Sequence, residues 1–191
     1  MRGRLFVFEG ADSVGKSTLC SKIAKKIDEM DHPYSKYTFP GNEKGSLGYH
    51  IYQVHHNPTY FGLNSINPTS LQILHVAAHI DLIENRIQPD IKGGKILLLD
   101  RYWWSTFVYG KVTGVNLDSL KAMIKLEKNH WGNLKPSIVF YVDREQPLGT
   151  VKNLSHWKKF VGNMKNSFKT KRPITKLSES IMNPRSIRRL T

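Results

Sequence analysis

The chain has 191 residues, of which 39% are hydrophobic and 23% charged, with a formal net charge of +14. That balance excludes an unfolded polyelectrolyte and predicts one ordinary domain spanning 1–191, with a short lid region at about 144–160. A lone cysteine, Cys20, excludes an internal disulfide framework, and no apolar run approaches the roughly 18 residues of a membrane span. The expected setting is cytoplasmic, with no membrane partner.

Leu5–Phe8 is a short apolar strand-former that ends at Glu9-Gly10. Thr18–Met30 follows, with Leu19, Ile23, Ala24 and Ile27 at helical spacing. Tyr34–Phe39 reads as a second strand stopped by Pro40-Gly41, and residues 42–67 as a helix followed by a surface loop. Pro68–Gln88 is the clearest long helix, with Leu71, Leu74, Ala78, Leu82 and Ile83 on one face and Pro89 as its end or kink. Ile96–Leu99 is a continuous apolar run before Asp100, as expected of a buried parallel strand. Leu117–His130 predicts a helix and Ser137–Val142 a strand. Trp157–Phe168 predicts a further helix, Ile174–Leu177 a short last strand and Ser186–Leu190 a terminal helix. Strands alternate with helices and hairpin signals are missing. The pattern predicts an α/β three-layer sandwich on a five-stranded parallel sheet, and the Gly10-Ala11-Asp12-Ser13-Val14-Gly15-Lys16-Ser17 segment between its first strand and helix makes it of the P-loop NTPase type.

The segment Gly10-Ala11-Asp12-Ser13-Val14-Gly15-Lys16-Ser17 fits G-x-x-x-x-G-K-[ST], between a predicted strand and a predicted helix. Glycines let the backbone wrap phosphate oxygens, and the loop's N–H groups together with the helix N-terminus supply positive potential. Gly10 to Thr18 are therefore the expected nucleotide-binding residues, with ATP as ligand. Lys16 is expected to reach the β- and γ-phosphates and Ser17 to coordinate Mg²⁺. Asp100, at the C-terminal end of an apolar strand, is the expected acid on the Mg²⁺ side, and Arg101 is expected to face the crevice beside it.

From Val151 to Thr191 there are eleven Lys or Arg against one acid, Glu179. A basic segment attracts polyanions, but no stacking or groove-reading pattern accompanies it. Nucleic acid is therefore the weaker expectation for a partner. Tyr102-Trp103-Trp104 offers base stacking, with burial against a neighbouring helix as the stronger alternative.

Four segments resemble the thymidylate kinase family of nucleoside monophosphate kinases: Phe8–Asp12, Phe39-Pro40-Gly41, Ile87 to Tyr102 with Ser105 and Tyr109, and Lys135–Asp143. The resemblance implies transfer of the γ-phosphoryl group of ATP to a deoxynucleoside monophosphate, dTMP-like, giving the diphosphate. It assigns catalytic roles to Lys16, Arg101 and Asp12, with Arg101 as a planar fork on the acceptor's phosphate and Asp12 on its sugar hydroxyl. It assigns acceptor contacts to Phe39, His75, His79, Arg101, Ser105 and Tyr109, with Tyr109 under the 2′-carbon. It also implies a homodimer, with the helix around Leu71–Ile83 as the contact face.

The chain departs from the family pattern at several places. His79 stands where an arginine usually helps to read the base, and His75 where a phenylalanine usually stacks on it; the two are also simply one stripe of a helix. Ser13 stands where the P-loop can carry a catalytic arginine. The replacement cation has five candidates, Arg144, Lys152, Lys158, Lys159 and Arg172. Two other readings stay open. A deoxynucleoside kinase would use Glu9 as general base, and a nucleotide-dependent nucleic-acid-binding protein would use the basic C-terminal surface.

Overall fold

The structure, a computed structural model, describes residues 3–151, 153–168 and, for the backbone, 174–177. Strands β1 (Arg4–Glu9), β2 (Tyr34–Thr38), β3 (Ile96–Asp100), β4 (Ile138–Val142) and β5 (Ile174–Leu177) form one sheet in the order β2-β3-β1-β4-β5. Every pairing is parallel, with Val7 opposite Leu99 on one side and Val139 on the other. β1 is central because Leu5, Val7 and Phe8 are all buried and its neighbours are apolar as well. In β3, the consecutive residues Leu97, Leu98 and Leu99 are fully buried. Consecutive side chains point to opposite faces, so both faces of the sheet are covered, as the expected α/β layering requires.

The helices are α1 (Lys16–Asp28), α2 (Leu47–His56), α3 (Pro68–Leu82), α4 (Gln88–Lys92), α5 (Trp103–Val112), α6 (Leu117–Trp131) and α7 (Leu154–Phe168). A single 3₁₀ turn, Pro58–Phe61, lies between α2 and α3. Asn67 caps α3, accepting from the Thr69 amide at 2.9 Å, and Pro68 follows at the first helical position.

The long helix does not stop at Pro89. It passes through a π-turn at Ile83–Ile87 and continues as α4 to Lys92. Proline lacks an N–H and its ring crowds the carbonyl four residues back, and a wider turn relieves both conflicts. α5 is a helix that patterning did not reveal. The Ser186–Leu190 helix expected from sequence lies outside the described residues.

The strand order fixes the site. β1 runs out between β3 and β4, so the loops after all three strands open on one edge of the sheet, where the order of connections reverses. Open α/β sheets collect ligands at such a switch point. The loop after β1 is Gly10–Ser17, the residues after β3 are Arg101-Tyr102, and the residue after β4 is Asp143.

Candidate active site

The Gly10–Ser17 loop wraps the N-terminus of α1. Gly10 has φ 145° and packs against the Val142 carbonyl, where a Cβ would have no room. Gly15 has φ 97° at the N-cap of α1, and Ser13 takes the left-handed region at φ 58°.

The carbonyls of the loop are engaged in succession. Gly10 O accepts from Arg101 Nη1 at 3.5 Å and Ala11 O from Lys16 Nζ at 2.6 Å. Asp12 O accepts from Trp157 Nε1 at 2.7 Å, Ser13 O from the Leu148 amide at 2.6 Å, and Val14 O from Arg144 Nε at 3.0 Å. Three of these five donors come from residues 144–157. With these carbonyls engaged and the Gly10 amide drawn to Glu9, the amides that follow in the loop are the groups suited to an anion.

Lys16 is buried, and burial, followed by repulsion from Arg101, pushes its ammonium down to about 8 against the pull of Asp100, Asp12 and Glu9. Ser17 Oγ donates to Asp100 Oδ2 at 3.0 Å, while Asp100 Oδ1 is buried without a hydrogen-bond partner. An orphaned carboxylate oxygen beside a serine hydroxyl is a hard oxygen donor set suited to Mg²⁺.

Arg101 follows β3 in the left-handed region, φ 75°, and its amide donates to Phe8 O at 2.8 Å. This aims its side chain across the sheet edge. Its guanidinium pairs with Asp12 and donates to Ser105 Oγ at 3.1 Å. Tyr109 donates its hydroxyl to the other oxygen of Asp12, and Arg101 lies over the Tyr109 ring at 5.5 Å. Burial opposes the Arg101 charge, yet Tyr109, Asp12, Asp100 and Glu9 outweigh it and move its pKa up. Burial also works against the Asp12 carboxylate, but Arg101 and Tyr109 prevail and hold it below the usual range.

Glu9 serves a different purpose. It is fully buried, and its carboxylate accepts from the Tyr102 amide at 2.8 Å, the Ser105 amide at 3.2 Å, Ser105 Oγ at 2.7 Å and the Gly10 amide at 3.3 Å. It ties the first turn of α5 to the end of β1, as a carboxylate at a helix N-terminus does. Burial outweighs these bonds and raises it to about 7.

Beside this cluster lies a cavity of about 430 Å³. Asp12, Arg101, Ser105 and Tyr109 bound one side, and Phe39, Gln72, His75 and His79 line the other. Phe39 and His79 stack at 3.9 Å with planes 9° apart. His79 Nδ1 lies 2.9 Å from Glu127 Oε2, and Trp131 Nε1 donates to Glu127 Oε1 at 3.2 Å. His79 is thus held by protein on one face and one edge. Gln72 Oε1 and His75 Nε2 are buried in this wall without partners. Burial, aided by the neighbouring histidines, pushes His75 down to about 3, so the ring is neutral. Among the described residues no group of three or more His, Cys, Asp or Glu could hold a metal ion, and the His75–His79 pair has no third ligand there.

The structure brings the P-loop, Asp100, Arg101, Ser105 and Tyr109 together, and it brings Phe39, His75 and His79 to one wall. Trp103 and Trp104 are buried, with Trp104 against Phe168 at 5.0 Å, and neither lines the cavity; Tyr102 is buried as well but does line it. Among the cation candidates, Lys158 and Lys159 are exposed and do not line this cavity; Lys152 and Arg172 lie outside the described residues. Sequence reasoning missed Gln72, Glu127, His156 and Trp157. The spacing of Gln72 and His75, three apart on a predicted helix, was the available signal for the first of these.

A P-loop at the switch point of a parallel sheet, with an acid at the end of the adjacent strand, defines the class of P-loop phosphate-binding proteins. The family model described as thymidylate kinase matches residues 8–181. The chain belongs to the thymidylate kinase family. It is 30% identical over 142 residues to a thymidylate kinase of Chlorobium chlorochromatii, covering 74% of this chain and 60% of that protein. It is 28% identical over 144 residues to one from Pelotomaculum thermopropionicum, covering 75% and 63%. The chain thus spans less than two thirds of the length of these relatives. A crystal structure of thymidylate kinase from Ehrlichia chaffeensis shares the fold, with a TM-score of 0.72 at 17% identity over 94% of this chain and 88% of that one.

Proposed function

We propose that the chain transfers the γ-phosphoryl group of ATP to a deoxynucleoside monophosphate of the dTMP kind, giving the diphosphate. The observation that carries the reading is the cavity beside the P-loop. It ends on Asp12 and Arg101, and its far wall holds two buried polar atoms, on Gln72 and His75, that no protein group satisfies. Buried polar atoms are normally paired, so a polar ligand at this wall is the natural partner.

In this reading the loop amides and Lys16 hold the donor's phosphates. Ser17 and Asp100 would hold Mg²⁺, which neutralises charge on the β- and γ-phosphates when bound. Arg101 presents a planar fork to the acceptor's phosphate, oriented by Asp12 and Ser105. Tyr109 closes the floor under the sugar, while Phe39, His75 and His79 line the base end. The chemistry requires positioning and charge neutralisation, not a covalent intermediate.

The burial of Glu9 favours a monophosphate over a nucleoside as acceptor. Its four donors occupy the carboxylate inside the core, away from any acceptor hydroxyl. The family and the thymidylate kinases among its relatives support the class of reaction, and the cavity supports the acceptor. ADP formation measured with a panel of deoxynucleoside and ribonucleoside monophosphates, and with the matching nucleosides, tests the reading. Turnover with at least one monophosphate and none with nucleosides is expected. Folded protein that binds ATP and phosphorylates no monophosphate refutes it.

A further inference from the structure

Phosphoryl transfer develops charge between donor and acceptor, and a hydrogen-bond donor or cation there carries much of the rate. The P-loop itself offers Ser13 where a cation would be useful. A second cavity, of about 310 Å³, lies between the P-loop and α7, lined by Ala11, Ser13, Trp157 and Phe160 among others. Three residues line both this cavity and the larger one: Asp12, Tyr109 and His156. They mark where the two spaces meet, and of the three only His156 is basic.

The lysines and arginines described near the loop are already engaged or turned away, and His56, although it lines the larger cavity, does not line the second. Lys16 sits on Ala11 O, Arg101 on Asp12 and Ser105, and Arg144 Nε on Val14 O at the outer side of the loop. Lys165 pairs with Asp143 at 3.3 Å, and Lys158 and Lys159 are exposed. His156 is held in place from both sides. Asn153 Oδ1 accepts from its amide at 2.9 Å, and the next residue, Trp157, is tied to the P-loop through Asp12 O at 2.7 Å.

Building on the kinase reading above, we propose that His156 is a catalytic residue, donating a ring N–H from α7 to the phosphoryl group in transit between the two cavities. An oxygen of the acceptor's phosphate forms the new bond to the γ-phosphorus. The bond from the γ-phosphorus to the β,γ-bridging oxygen breaks, and its electron pair stays on the β-phosphate of ADP. The acceptor is a phosphate anion, so no proton is abstracted. His156 contributes hydrogen bonding in either protonation state and is not a general base.

The test uses the full chain carrying H156A or H156R, with kcat and both KM values measured beside wild type and melting temperatures taken on the same samples. The expected result for H156A is a fall in kcat of about 100-fold, with each KM changed by less than about threefold and an unchanged melting temperature. H156R, which supplies donors of longer reach, is expected to recover a large part of kcat. A kcat for H156A within about twofold of wild type overturns the assignment. So does a loss shared equally by H156A and H156R alongside a lower melting temperature, or a loss confined to KM. If wild type itself turns over no monophosphate, the kinase reading falls and this assignment with it. Active wild type with unimpaired H156A removes only the assignment.

Discussion

His79 and Glu127 meet 2.9 Å apart, Nδ1 to Oε2, with both side chains out of contact with solvent. Glu127 also holds Trp131 Nε1, so one carboxylate joins the wall of the cavity of about 430 Å³ to the end of α6. Removing it leaves two buried donors unmet. Glu127→Ala is expected to cost roughly 3 kcal/mol of stability, read from urea unfolding, and to loosen the His79–Phe39 stack. Glu127→Gln keeps the shape and an acceptor, and is expected to cost less.

Two buried groups give stability opposite dependences on pH. Glu9 is raised to about 7 when folded, against 4.5 for a free glutamate carboxyl. Its contribution is present below pH 4.5 and fades as pH rises to 7, because the unfolded chain ionises first. His75 is lowered to about 3 from 6.5. Its contribution is present above 6.5 and is lost as pH falls towards 3, because the unfolded chain binds the proton first. Unfolding titrations between pH 4.5 and 7 are therefore expected to show Glu9→Gln gaining stability relative to wild type as pH rises. His75→Gln is expected to gain relative to wild type as pH falls.

Asp100 and Ser17 form the side of the loop fitted to a divalent cation. Asp100→Asn keeps the size and a hydrogen-bond acceptor but removes the charge. The Mg²⁺ concentration giving half-maximal turnover is expected to rise at least tenfold, on the order of the effect of losing one charged ligand. Nucleotide binding measured in EDTA is expected to change little. Equal Mg²⁺ dependence in the variant and wild type contradicts the assignment.

Trp157 ties α7 to the loop through one hydrogen bond while its ring fills the core. Trp157→Phe keeps much of the ring and deletes the donor. A stability loss of about 1 kcal/mol is expected from the bond alone, plus a share for the smaller ring. Nucleotide affinity, measured by titration calorimetry, is expected to weaken more than acceptor affinity, since the loop and not the cavity loses its tether.

The loop and the Asp100-Arg101 pair were legible because their chemistry is local: eight consecutive residues, and two at a strand end. Strand positions were legible for the same reason, since an apolar run such as Leu97–Leu99 can only be buried. α5 was not. Trp103–Val112 mixes aromatic, β-branched and glycine residues with no helical stripe. Its first turn is fixed by the carboxylate of Glu9, more than ninety residues earlier. Tertiary contact overrode propensity there. A separation of 48 residues likewise hid Glu127 behind His79. Pro89 left an end and a kink equally open, since nothing in the residue order signals that a π-turn precedes the proline and carries the helix on to Lys92.

The carbonyls of Asp12, Ser13 and Val14 are each held by a group from the 144–157 stretch. A loop anchored in this way has little left to order when its ligand arrives. Its rearrangement entropy has been lost at folding, and nucleotide association should be set by encounter and dehydration rather than by loop closure. The thermodynamic mark of such a site is a small entropic penalty on binding, with the shape for the phosphates built before any phosphate is present.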